Sequence, residues 1–174
     1  MIVSVGIGSF GSARVWIDED VNADYAAEAT IERRLLTTPS RHLRHRRVVV
    51  EVYLPRGPRA EYGLLGLMYE PKDESDLLVR VQVGREDGRP SAGSMASNVD
   101  DVRIGLPREY ASAVLDAICQ HCQNRIGPGL LTIDRAAHGR VGSSVSVFSA
   151  LSALAVALVE SDDAVDNKVR SAFA

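Results

Sequence analysis

The chain has too little of several things to belong to the protein classes that depend on them. Its two cysteines, Cys119 and Cys122, are too few for a disulfide scaffold. A reducing, cytoplasmic location is therefore expected. Aromatic residues make up 5%, and no stretch interleaves them with basic residues as single-strand nucleic-acid binders do. Neither sign of charge dominates: the formal net charge is −3, so any polyanion must be met by a local patch. The longest apolar stretch, Val147 to Val159, is interrupted by Ser149 and Ser152 and is too short to span a bilayer. No membrane partner is expected. The opening Met-Ile-Val-Ser-Val-Gly has no positive segment and no long apolar core, so it is not expected to be a secretion signal. There is no G-x-x-x-x-G-K-[ST] phosphate loop, which excludes a GTP-driven activity for this chain.

What is present is enough for a core. Apolar residues are 45% of 174, which fits one domain, or one domain with an extension. Ile2 to Ile17 alternates around Gly6, Gly8 and Gly11 and predicts two strands. Asp18 to Asn22 is an acidic turn. Ala23 to Leu36 predicts a helix, with Ala26, Ala29, Ile31 and Leu35 as its less polar positions. Strands are expected over Arg47 to Leu54, Tyr62 to Tyr69, Leu77 to Val83, Val102 to Leu106 and Leu130 to Ala136. Gly84 to Asn98 predicts a loop. Pro107 opens a helix to about Asn124, and Ser143 or Ser144 caps a last long helix. The tail is expected to form a short helix or to fray.

Several motifs invite a chemical reading. Gly6-Ile-Gly-Ser-Phe-Gly11 matches G-x-G-x-x-G, but a strand rather than a helix follows, so a glycine-bearing hairpin is expected in place of a dinucleotide site. Cys119-Gln-His-Cys122 lies late in its helix, without the helix N-terminus that activates a thiol or a second ligand pair for zinc. Packing is the expected role of both cysteines. Asp134, His138 and Ser143 are the residue types of a hydrolase triad, but no nucleophile elbow surrounds the serine. From Arg33 to Arg47 no acid occurs, while Arg41, Arg44, Arg46 and Arg47 cluster with His42 and His45. Arginine forks suit phosphate oxygens. The alternative is a loop whose charges pair with acids such as Asp18 to Asp20. His138 and Arg140 lie in a turn before a helix N-terminus, where an anion could be held.

Two blocks, Leu106-Pro-Arg-Glu-Tyr-Ala-Ser-Ala-Val-Leu-Asp-Ala-Ile118 and Val141-Gly-Ser-Ser-Val-Ser-Val-Phe148, together resemble domain IV of elongation factor G. Glu109 and Tyr110 fall on the family's E-Y, with Ala113, Val114 and Ile118 at its inward positions. Ser143, Ser144 and Phe148 match the start of its second helix, and Arg56-Gly-Pro-Arg-Ala-Glu-Tyr-Gly63 is similar to its glycine-rich strand entry. The resemblance spans roughly residues 46 to 160. It departs at the tip, where Gly139 stands in the place of the family's histidine and Gly142 in that of its aspartate.

The expected fold is therefore α+β: a split βαβ sheet with two helices on one face over 46–174, plus a hairpin-and-helix extension over 1–45. The resemblance implies a non-enzymatic module that contacts the ribosome or a structured RNA. Arg41, Arg44, Arg46, Arg47, His138 and Arg140 would touch the polyanion, with no GTP, cofactor or metal. The competing expectations are a self-associating assembly module of the same fold, forming a homo-oligomer through the broad apolar face of the last helix and open sheet edges, and a small enzyme.

Overall fold

The computed structural model describes residues 1–37 and 43–174. It is an α+β molecule built on one mixed sheet. The strands are β1 (Ile2–Ile7), β2 (Gly11–Ile17), β3 (Ala29–Leu36), β4 (Arg46–Arg56), β5 (Arg59–Pro71), β6 (Asp76–Val83), β7 (Val102–Ile104) and β8 (Gly129–Gly139). The helices are α1 (Arg108–Cys122), α2 (Val145–Glu160) and α3 (Val165–Ala172). Across the sheet the order is β1-β2-β4-β5-β8-β6-β3, with β7 paired to the far end of β8. Only β6 and β8 run parallel, joined through α1.

Each face of the sheet has its own cover. The valines at 48, 50 and 52 point to the helical side with Leu65, Leu67, Leu77, Val79 and Ile133, all buried against α1, α2 and α3. Val49, Tyr62, Leu64 and Ala137 point the other way, into a smaller core roofed by the connections before β3 and before β7. Burial on both faces explains why β4 reads as a nearly continuous valine run rather than an alternation. Helix α1 starts after Pro107, and Ser144 caps α2 by accepting from the Val147 amide at 3.2 Å. Tyr110 stacks on Phe148 with ring centroids 4.9 Å apart, locking the two helices together.

Two expectations need correction. Residues 23–36 are not a helix: Ala29–Leu36 forms an edge strand, pairing Ile31 with Val81 and Leu35 with Leu77. Its apolar residues repeat every two positions as well as at helical spacing, and the pairing with β6 selects the strand. The described part of the 1–45 extension is thus a hairpin and a strand, placed on opposite edges of the common sheet. The βαβ unit is not split, because β6 and β8 are direct neighbours. The tail takes the helical one of its two expected forms as α3, which joins the two expected helices on that face of the sheet.

Candidate functional site

The arginine run is largely consumed by internal ion pairs. Arg46 is buried, 3.2 Å from Asp162 and 3.7 Å from Asp18. Arg47 makes a bidentate pair with Asp134 at 2.9 and 3.0 Å, and this bond raises the pKa of its guanidinium. Arg44 is exposed, 3.6 Å from Asp18. Arg41 and His42 lie outside the described residues. Arg140 is exposed and 3.6 Å from Asp101, at the other end of the sheet. Arg46 is level with Tyr69, which pairs with Leu131, whereas Arg140 follows Gly139. Eight strand residues separate those levels, about 26 Å. The described members of the expected polyanion set, Arg44, Arg46, Arg47, His138 and Arg140, therefore do not form one surface.

The turn after β8 is built from its own hydrogen bonds. Asp100 accepts from the amides of Val141 (3.1 Å) and Gly142 (2.7 Å). Ser143 Oγ donates to the Tyr62 carbonyl at 2.7 Å and accepts from the Gly139 amide. His138 is buried, with Nδ1 3.0 Å from the Gly105 carbonyl and Nε2 3.1 Å from the Glu86 carbonyl. Asp134 is engaged by Arg47. The three triad-type residues are thus committed to separate structural bonds, and no nucleophile–base contact forms among them.

The glycine motif folds as the β1–β2 hairpin, with Gly8 at φ 58° in the turn. Cys119 and Cys122 are free thiols in the helical-side core, and burial raises the pKa of both. Neither is expected to react with a water-soluble aromatic disulfide at pH 8 until denaturant is added. Prompt labelling of the native protein would overturn their placement. Among the described residues no cluster of histidine, cysteine and acids has metal-binding geometry, and no helix is long and apolar enough to cross a membrane.

The most informative surface is the β1 edge. Met1 and Ile17 exchange both backbone bonds at 2.9 Å, so the register turns the N–H and C=O groups of Ile2, Ser4 and Gly6 away from β2. No described strand lies beyond β1. The sequence Ile-Val-Ser-Val-Gly-Ile carries no charge and no proline, the devices that usually blunt an edge. The opposite edge is guarded. On β3, Glu32 pairs with Arg80 at 2.8 Å, Arg34 with Asp76 at 3.2 Å and Arg33 with Asp116 at 2.9 Å. Met1, Ile2 and Phe10, three of the large apolar side chains that remain exposed, all belong to the β1–β2 hairpin.

One residue central to the opposite face of the sheet was not singled out in the sequence. Glu51, 1% exposed, interrupts the valines of β4. Its Oε2 accepts from Arg14 Nε (2.9 Å) and Nη2, and its Oε1 from the Tyr62 hydroxyl (2.9 Å) and the Met95 amide (3.0 Å). Burial, together with the Glu51 charge, pushes the Tyr62 phenol well above its ordinary pKa, so it stays a donor. A lone acid inside an apolar strand was the available signal. No protein-family model, no curated protein and no solved structure matches the chain.

Proposed function

We propose that this chain is a non-enzymatic assembly module that self-associates by pairing the β1 edges of two copies. The observation that carries the reading is the uncharged, open β1 edge in a sheet whose other edge is guarded. The free edge is self-complementary. A two-fold axis at Ser4 sets Ser4 against Ser4 of the second copy and Ile2 against Gly6, antiparallel. Each outward residue then gives and receives one backbone bond. The space that a side chain on Gly6 would occupy is open. Ile2 of the second copy would fill it and remove exposed apolar area from water.

Contact with the ribosome or a structured RNA is the competing reading. It draws support from the order strands, helix, strand, helix after residue 46. It loses support from the internal pairing of Arg46 and Arg47 and from the separation of Arg44 and Arg140 by the length of the sheet.

The test is sedimentation and light scattering over a range of concentrations and salt. The mass is expected to rise from one chain to two with concentration, with little effect of ionic strength. Ser4→Pro removes an outward-facing N–H and no hydrogen bond of the β1–β2 ladder. That variant is expected to stay monomeric with an unchanged circular dichroism spectrum and melting temperature. A wild type that stays monomeric throughout, or a Ser4→Pro variant that still dimerises, would sink the proposal.

A further inference from the structure

A recess of about 300 Å³ opens on the loop-covered face of the sheet, between β2 and the segment that leads to β7. Its walls are chemically uneven. Trp16, Val21, Leu64 and Pro90 make it apolar, while Arg14 and Arg89 bring two guanidinium groups. Glu51 is the one carboxylate that lines it. Both its oxygens are already filled by the four donors described above, so it offers nothing further to a ligand. Its charge offsets Arg14, while Arg89 stands 3.5 Å from the carboxylate of Asp24, just outside the recess, so the attraction for an anion comes from unused donors rather than from net charge.

The arginines keep donors in reserve. The hydrogen bonds of Arg14 use Nε and Nη2, toward Glu51 and the Gly93 carbonyl. Those of Arg89 use Nη2, toward Asn22 Oδ1 (2.8 Å) and the Asp24 carbonyl. No hydrogen bond to a described residue uses Nη1 of Arg14 or Nε and Nη1 of Arg89, so these donors can meet another acceptor. Arg14 is held in place, because Glu51 fixes it and its head lies 5.3 Å from the Trp16 ring centroid. A fixed guanidinium loses little entropy when it takes an anion.

We infer that this recess is a binding site for a small flat monocarboxylate of the aromatic class. Its carboxylate bridges Arg14 and Arg89, and its ring lies against Trp16 and Leu64. The volume is at the lower end of small-molecule pockets, which favours a ligand of one ring. An anion without a ring, such as inorganic phosphate, meets the arginines but leaves the apolar wall wet. The site is independent of the β1 edge.

Trp16 is the single tryptophan of the chain and reports on its own pocket. Its emission is to be titrated with benzoate at low ionic strength, beside a parallel titration with inorganic phosphate. The expected result is a saturable change with benzoate and weaker binding of phosphate. Arg89→Ala should weaken benzoate about tenfold, the loss of one charge-assisted hydrogen bond. Arg89 is a surface residue, so this variant should keep the wild-type spectrum and melting temperature. Arg89→Lys, which keeps the charge but loses the fork, should fall between. No saturable change with benzoate in natively folded wild type would overturn the inference. So would equal affinity in wild type and Arg89→Ala, or phosphate binding as tightly as benzoate.

Discussion

Glu51→Ala is expected to destabilise the protein by about 3 kcal/mol, in the range measured when one partner of a buried charge pair is removed. Arg14 is only partly buried, so its stranded charge reaches water and the loss falls at the low end of that range. The larger share comes from the Tyr62 hydroxyl and the Met95 amide, which lose their acceptor inside the smaller core. The Met95 bond ties the segment before β7 to the middle of β4. The variant should therefore also become sensitive to proteolysis between residues 88 and 97, before global unfolding. Urea denaturation followed by circular dichroism measures the first effect and limited proteolysis the second. Glu51→Gln keeps an acceptor for the neutral donors and should lose about half as much. A cost under about 1 kcal/mol for Glu51→Ala would show that the carboxylate does not hold this segment.

Phe148→Ala should cost about 3–5 kcal/mol, the usual range for emptying a fully buried aromatic site. Phe148 is 0% exposed and stacks on Tyr110. It sits in the first turns of α2, and the close approach of α2 to Gly63 of β5 leaves little room for the neighbours to collapse into the cavity. A side chain at Gly63 would already meet Leu151 at 2.8 Å and Val147 at 3.1 Å. Phe148→Leu, which keeps most of the volume, should lose much less. If the two variants unfold at the same urea concentration, the packing account of the α1–α2 contact fails.

These two residues differ in how far the sequence revealed them. Phe148 lies on the apolar face that predicts α2, so its burial was legible from periodicity alone. The same holds for α1, whose stripe through Val114 and Ile118 faces the core, and for β4, β5, β6 and β8, whose apolar patterns are strong. Glu51 was hidden because its partners are far along the chain. Arg14 is 37 positions away, Met95 44 and Tyr62 11. A charge inside an apolar strand signals a special site without saying what meets it.

The arginine run shows the same limit from the other side. Its sequence displays eight basic residues without an acid, and the fold then brings Asp18, Asp134 and Asp162 to Arg44, Arg46 and Arg47. Local charge density describes a surface only where the chain stays local. Strand β3 was misread for a related reason. An edge strand with one face against the helices and charges along the rest carries a weak two-residue period, and Ala29, Ile31 and Leu35 serve a helix nearly as well.

The sequence by itself determined the α+β class, most strands, both long helices and the absence of a phosphate loop. Each follows from the spacing of apolar residues or from a short motif, and spacing survives any arrangement in space. Only the tertiary structure decided that β1 ends the sheet uncharged while β3 ends it guarded. It alone set the arginines into ion pairs and closed a recess over Trp16. Those features depend on which strand lies beside which, and strand order is fixed by long-range pairing that no local pattern encodes.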